Sequence, residues 1–448
     1  MDMNFEQARE ILVSAAKAAG LKEYEIYYMQ SESASAETLK DEISSFSSSV
    51  EGGISFRCIS GGKMGYASSE LFLEEELREL VKRAISNAAN MDGDDVPEIF
   101  AGSESYPEAT HKIPDDISAA TLKDVALELQ KKTYGESEYV ADGTQSGAFV
   151  SKVDVALSNS YGLELRNTLG TCGSYVQAVI NRDGEAESEF KLCEGFEGEK
   201  YDTMSKRTVD GALEKLGAGE VDSGKYDIIF SAKEMKSILA TFCSVFSGKM
   251  AHEGLSLLAG KVGEKIAADC ITLVDDPMRK GSSMQTSFDG EGVATYKKNV
   301  IENGVLKTLL YDIATAKKVG CKSTGNGHRA SYTSPVGIAP YSFYIKAGEK
   351  SLDELMEGVE KGIYITELKG LHAGANAVTG DFSIESAGFM IENGKKGRAV
   401  KSFTVAGNFF ELLLGVEDIS NKVDFSFGSL TAFGSPDALV RNMSVAGK

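Results

Sequence analysis

The chain has 448 residues with 42% apolar and 25% charged positions, enough for more than one hydrophobic core, so two domains are expected. Acids outnumber bases 67 to 47, a formal charge of −20; an acidic surface with no basic stripe repels phosphate backbones and speaks against direct nucleic-acid binding. No run approaches the ~18 consecutive apolar residues of a membrane-spanning helix, and the acidic opening Met1-Asp2-Met3-Asn4-Phe5-Glu6 lacks the basic and apolar regions of a signal peptide.

Asn4 to Gly20 reads as a helix, with Asn4 as cap, Gln7 at the capping-box position and an apolar stripe of Phe5, Ala8, Ile11, Leu12 and Ala15. Alternation predicts strands at Tyr24–Tyr28 and Gly53–Ile59, the second turning at Ser60-Gly61-Gly62-Lys63 into Met64–Ala67. Leu73, Leu77, Leu80, Val81, Ile85 and Ala88 mark an amphipathic helix. Residues 92–116, with Pro97, Pro107 and Pro114 and little periodicity, read as a long surface connection. A helix capped by Thr121 runs to about Lys132, strands follow at about 150–158, 163–168 and 174–181, and a helix at about 202–216 ends in Gly217-Ala218-Gly219.

The composition shift at 217–225 places a boundary there. Beyond it a strand at Tyr226–Phe230 leads into a helix from Ala232 to Phe246, and the rest is β-rich with helices at 311–319, 351–361 and 408–414. The fold class is α+β twice over: an N-terminal domain, 1–221, of antiparallel strands and helices, and a β-rich α+β C-terminal domain, 222–448.

Residue chemistry offers little for catalysis. His111, His252, His328 and His372 stand far apart, and His252-Glu253 runs into Gly254-Leu255-Ser256-Leu257 rather than a second histidine, so it reads as a surface residue. Cys58, Cys172, Cys193, Cys243, Cys270 and Cys321 form no CxxC pair, which fits reduced thiols in a cytoplasmic protein; Cys321 has no neighbouring histidine to activate it. Asp275-Asp276-Pro277 and Phe288-Asp289-Gly290-Glu291-Gly292 have the oxygen ligands for a hard cation but no EF-hand spacing, and acids bonding turn N–H groups are the preferred reading. In Ser323–Arg329, the glycines admit close backbone approach and His328 with Arg329 suits a carboxylate; a plain helix-to-strand loop explains the segment equally well. No GxSxG elbow, Walker A loop or strand-linked GxGxxG is present.

A run of C-terminal segments, taken together and in order, is distinctive: Val262–Ile266, Thr272–Pro277, Phe288–Val293, Ile301–Leu306, Thr315–Gly320, Ser323–Asn326, Val378–Ser383 and Val405–Asn408. With the looser Gly53–Arg57 and Ser158–Gly162, they span nearly the whole chain. The sequence resembles the TldD/PmbA family, provisionally labelled modulators of DNA gyrase. That resemblance implies a two-component intracellular metalloprotease in which TldD-type subunits hold zinc through an HExxxH helix and a late cysteine, and metal-free PmbA/TldE-type subunits pair with them. Registered on Gly260–Lys265, the HExxxH positions fall on Leu239, Ala240 and Ser244, and no cysteine follows Cys321. Ile238, Leu239, Phe242, Val245 and Phe246 there form an apolar helical face that packing alone explains.

The resemblance therefore implies a PmbA/TldE-type subunit with no catalytic residues, metal or cofactor of its own, paired with a TldD-type zinc subunit as a heterodimer or with itself as a homodimer. It would bind extended peptide by strand addition, with Ala377–Ser383 and Ala387–Ile391 lining the chamber and Asp289, Glu291, Asn326, His328 and Arg329 as substrate-binding residues. Two alternatives are a homodimeric hydrolase with a site around Asp275, Asp289, Glu291 and His328, and a non-enzymatic peptide adaptor. Neither nucleic acid nor membrane is expected as a partner, and DNA binding in the sense of the gyrase label conflicts with the charge.

Overall fold

The computed structural model describes residues 3–91, 97–111, 114, 116–427 and 430–448. Helix α1 (Phe5–Ala18) starts at the expected capping box, where Asn4 and Gln7 satisfy each other's backbone N–H groups, and it buries Ala8, Leu12 and Ala16. Strands β1 (Tyr24–Leu39), β2 (Glu42–Ser60) and β3 (Lys63–Ser69) follow. The expected strands at 24–28 and 53–59 are the inner ends of much longer ones, whose Ser- and Glu-rich outer halves carry no apolar alternation. Pairing holds those halves: β1 is bonded to β2 on one side and, as far as Glu37, to β4 on the other.

Helices α2 (Glu74–Ala89) and α3 (Ala119–Glu136) pack on one face of this sheet. The cap of α3 is Ser118, whose hydroxyl accepts the Thr121 N–H; Thr121 itself lies inside the helix. The connection expected at 92–116 has no helix or strand where it is described, while 92–96, 112, 113 and 115 fall outside the described residues. Strands β4 (Gln145–Asn159), β5 (Glu164–Arg182) and β6 (Glu185–Glu194) complete an antiparallel sheet ordered β3-β2-β1-β4-β5-β6. Short α4 (Glu199–Asp202) and α5 (Met204–Leu213) close this half, with α5 lying on β5 and β6. The strands expected at 163–168 and 174–181 are one continuous β5, and β6 was not expected at all.

In the C-terminal half, β7 (Gly224–Phe230) leads into α6 (Ala232–Phe242), which tightens into a 3₁₀ turn at Cys243–Phe246 where a continuous helix was expected, and then α7 (Gly248–His252). Strands β8 (Leu273–Asp275), β9 (Lys298–Glu302) and β10 (Val305–Leu306) precede α8 (Ile313–Val319), capped by Asp312. After them come β11 (Gly327–His328), β12 (Gly337–Ile338), β13 (Ser342–Ile345) and α9 (Leu352–Glu357), whose capping box is Ser351 with Glu354. The helix expected to reach 361 stops at Glu357, because β14 (Lys361–Lys369) begins there; α10 (Leu371–Gly374), β15 (Asp381–Glu392) and β16 (Lys395–Asn408) follow. Helix α11 (Phe409–Gly415), capped by Asn408, and strands β17 (Val416–Ile419), β18 (Asp424–Phe425), β19 (Ala432–Ser435) and β20 (Ala438–Ala446) end the chain.

One C-terminal sheet runs β10-β9-β8-β13-β19-β18 and another β16-β15-β14-β7-β20-β17, in which β20 also bonds to β16 and so closes the strands into a barrel. The two sheets share one core with α6, where Phe242 stacks on Phe409 at 4.6 Å between ring centres. The chain is thus the α+β protein expected, β-rich in its second half. No helix among the described residues is long and apolar enough to cross a membrane.

Candidate functional site

The five residues singled out for substrate all come from two loops that the fold brings together where the face of β1 and β2 opposite the helices meets the C-terminal half. In the first, Asp289 accepts the N–H groups of Glu291 and Val293 on one carboxylate oxygen, at 2.8 and 3.0 Å, and that of Gly327 on the other at 2.8 Å. This is the turn-bonding role expected for an aspartate in such a sequence. In return Gly290 donates to the Gly327 carbonyl at 2.6 Å. The approach explains the glycine: a Cβ on Gly327 would sit 2.9 Å from Glu291 Cγ and 3.0 Å from the Asp289 carboxylate.

Glu291 caps α8 from outside by accepting the Ile313 N–H at 2.8 Å and lies 3.5 Å from the guanidinium of Arg57 on β2. Arg57 in turn holds Glu25 of β1 through two nitrogens at 2.8 and 2.9 Å, and Glu25 also receives Arg329 at 2.5 Å. Arg329 spreads over the ring of Tyr27, 4.5 Å from its centre. The result is a buried chain of alternating charge, Arg329–Glu25–Arg57–Glu291, that ties residues from both halves together; all four are at most 7% exposed.

Asn326 belongs to an adjoining set. It donates to Asp275 at 2.8 Å and to the Ala339 carbonyl at 3.0 Å, and the same carboxylate takes Lys298 at 3.1 Å and the Tyr341 N–H at 2.9 Å. Every oxygen of Asp275 is therefore occupied. His328 stands apart, half-buried beside Tyr341, with a buried Nε2 that has no hydrogen-bond partner. It lines a narrow cavity of about 30 Å³ with Tyr27, Asn167, Thr286, Arg329 and Tyr341.

Electrostatics follow from this burial. Desolvation, reinforced by the Glu291 charge, pushes Asp289 up to about 8 against the pull of its three N–H donors. Glu291 is raised by burial too, though Arg57 opposes the shift. Burial disfavours the Arg57 cation, but Glu25 and Glu291 outweigh it and hold it protonated. His328 is lowered by burial, so its imidazole is neutral at physiological pH.

The structure thus gathers all five predicted residues, but it spends Asp289, Glu291, Asn326 and Arg329 on internal bonds and leaves His328 facing the cavity. Sequence reading missed Glu25 and Arg57, the centre of the charge chain. Their signal was a charged residue in the middle of an apolar strand, Tyr24-Glu25-Ile26 and Phe56-Arg57-Cys58. The other expected features separate cleanly. His252 is exposed at the end of α7, all six cysteines are free, and Cys321 is exposed. Ala387–Ile391 has no open edge, because β14 pairs with it on one side and β16 on the other.

Fold and site together define a class, a metallopeptidase-like α+β scaffold: residues 223–447 match the model of the PmbA/TldA metallopeptidase C-terminal domain, and 24–88 match that of domain 1 of the same metallopeptidases. The chain belongs to the PmbA/TldD family. It is similar to TldE from Thermococcus kodakarensis, 26% identical with a TM-score of 0.83 over 98% of this chain and 100% of that one. A provisional DNA gyrase modulator from Thermotoga maritima MSB8 is 26% identical with a TM-score of 0.88, covering 99% of this chain and 100% of its own. A protein named metalloprotease from Methanothermobacter thermautotrophicus is 28% identical over 425 residues, 88% of this chain and 89% of its own.

The family name implies a metal, and the residues that the registration on Gly260–Lys265 places at the HExxxH positions are not donors for one. Leu239 is fully buried in the core and Ala240 is half-buried beside it, and Ser244 lies on the 3₁₀ turn. An aliphatic, a methyl and a lone hydroxyl make no zinc donor set. Among the described residues no three His, Cys, Asp or Glu side chains gather where they would hold a metal ion.

Proposed function

We propose that this chain is a PmbA/TldE-type partner subunit: it carries no zinc, pairs with a TldD-type subunit and helps hold extended peptide for cleavage there. The observation that carries the reading is α6. Where a zinc helix needs ligands facing a cleft, this one turns Ile238, Leu239 and Phe242 into the core, each fully buried against the barrel. The likeness to TldE over nearly the whole chain supports the same assignment. The chain is then divided near 221/222, between the end of α5 and the start of β7. Glu291 and Arg329 serve the subunit by fixing its two halves against each other, Asp289 and Asn326 by holding the C-terminal loops in place, and His328 keeps an unpartnered nitrogen with which to meet a ligand.

Co-expression with a TldD-type protein, followed by size-exclusion chromatography and a peptide-cleavage assay, tests this. Co-elution and cleavage that depends on both chains is the expected result. Separate elution with cleavage unaffected by this chain overturns the assignment.

A further inference from the structure

Strand β2 is paired on its outer side only from Ile54 to Ser60, where β3 lies against it. From Glu42 to Gly53 its inner side is bonded to β1, and among the described residues no backbone group bonds to its outer side. Folded proteins guard such edges with lysine, proline, bulges or a covering segment. Here residues 44–50 read Ser-Ser-Phe-Ser-Ser-Ser-Val, without charge or proline, and every one is exposed. Two of them are large and apolar: Phe46 is 40% exposed and Val50 67%.

We propose that the outer edge of β2, Glu42 to Gly53, is where the subunit takes up its extended peptide, by addition of the peptide as a further strand; this rests on the peptide-handling role argued above. A strand docked at the usual spacing of about 4.8 Å exchanges backbone hydrogen bonds with the free N–H and C=O groups and so tolerates many sequences. Selectivity comes from the two faces. Phe46 and Val50 lie on one face, beside which alternate apolar side chains of the peptide would pack. The opposite face carries Ser45, Ser47, Ser49 and Glu51, with the serine hydroxyls of β1 and β2 already paired, Ser33 to Ser49 at 3.0 Å and Ser35 to Ser47 at 2.9 Å.

Charge chooses the peptide class. Asp41, Glu42 and Glu51 flank the edge and Glu32 and Glu37 lie on the neighbouring strand, against two lysines, Lys40 engaged by Asp142 at 3.0 Å and Lys123 over the Phe46 ring at 4.9 Å. Against a chain of net charge −20, that field repels a second copy and attracts a cationic segment. The edge also leads somewhere. It ends at Gly53, packed under the ring of Tyr332, three residues beyond Arg329 and held in place by the Tyr66 hydroxyl on its carbonyl. A docked strand is therefore delivered to the loop that carries His328. The occupant is an extended, cationic segment with alternating apolar side chains.

Amide hydrogen exchange on the full chain tests this, with a short peptide alternating lysine and valine as the probe. The expected result is new protection confined to 42–53, absent with the glutamate–valine peptide and with the lysine–valine peptide N-methylated at every amide. The double variant Phe46→Lys/Val50→Lys alters only exposed side chains and should weaken binding about tenfold. Protection elsewhere, or equal binding of the methylated peptide, overturns the edge assignment but leaves a peptide-handling subunit standing. No binding of any peptide by the isolated chain overturns both the edge and that role for the chain alone. Concentration-dependent protection of 42–53 without peptide assigns the edge to a second copy and overturns the proposal as well.

Discussion

Replacing Glu25 by Gln tests the buried charge chain most directly. The side chain of Glu25 is fully buried, accepts from Arg57 Nη2 and from Arg329, and lies in ion-pair contact with Arg57 Nε; the two arginine side chains are 8% and 1% exposed. Gln keeps the shape but removes the charge, leaving Arg329 with the Ser55 hydroxyl at 3.4 Å and Arg57 with Glu291 at 3.5 Å. Breaking a buried pair in this way costs about 3–5 kcal/mol, because the remaining cation stays desolvated and uncompensated. The exposed pair Lys396–Glu214, with an N–O distance of 2.6 Å and side chains 37% and 54% exposed, is the control: Glu214→Gln should cost less than about 1 kcal/mol. Urea unfolding followed through both midpoint and slope gives the two losses. Glu25→Gln combined with Arg329→Gln should show a coupling of about 0.5–3 kcal/mol, since the second change removes the charge the first one orphaned. A Glu25→Gln loss no larger than the Glu214→Gln loss, or strict additivity in the double variant, would refute the claim that this chain of charges joins the two halves.

Asp289 makes stability depend on pH in a predictable direction. Its carboxyl is raised by burial to about 8, above the ordinary aspartate value near 3.9, so the protonated form is favoured in the fold. That contribution is fully present below about pH 4 and is lost as pH rises through about 8; urea midpoints at several pH values should fall across this window and fall less in Asp289→Asn. Equal slopes in the two proteins would contradict the assignment. In the core, Leu239→Ala should cost about 2–5 kcal/mol through the cavity it leaves, while Ser244→Ala stays near zero in the same thermal or urea measurement. A small Leu239 loss would mean that this face of α6 is not the packed face it is taken to be.

Local rules made much of the fold legible. Asn4, Ser351 and Asn408 cap helices where sidechain-to-backbone bonding says they should, and the Gly-Gly turn after Ser60 forms its hairpin. Strand β6 was missed although Asp183-Gly184 is a strong hairpin signal and both residues take positive φ, 56° and 87°. Its alternating Glu185, Glu187 and Glu189 give no apolar period, and their partners lie outside the strand, Lys215 on the segment after α5 and Lys401 on β16. The outer halves of β1 and β2 were missed for another reason: serine and alanine give no two-residue apolar period, and their order comes from neighbouring strands. The site was legible only as fragments. Asp289, Glu291 and Arg329 stood out as charged residues near glycines, but pairing them with Glu25 and Arg57 requires knowing that loops around 290 and 328 meet residues 25 and 57 on one sheet face.

Burying four charges in a row is a costly way to join two pieces of a protein, since apolar packing of equal volume does as well or better for stability alone. What ion pairs add is direction. Arg57 and Arg329 are planar donors that the Glu25 carboxylate can accept from in few orientations, so the loop bearing His328 and Tyr332 is fixed in register as well as position on β1 and β2. The free edge of β2 ends beside that loop, at Gly53, where β3 takes over the pairing and Tyr332 lies over the backbone. If the subunit only filled space beside a catalytic partner, an apolar joint would serve. A joint that specifies register fits the proposed task of bringing a strand to one defined place, and in this chain the free edge of β2 and the buried charges meet at the same loop.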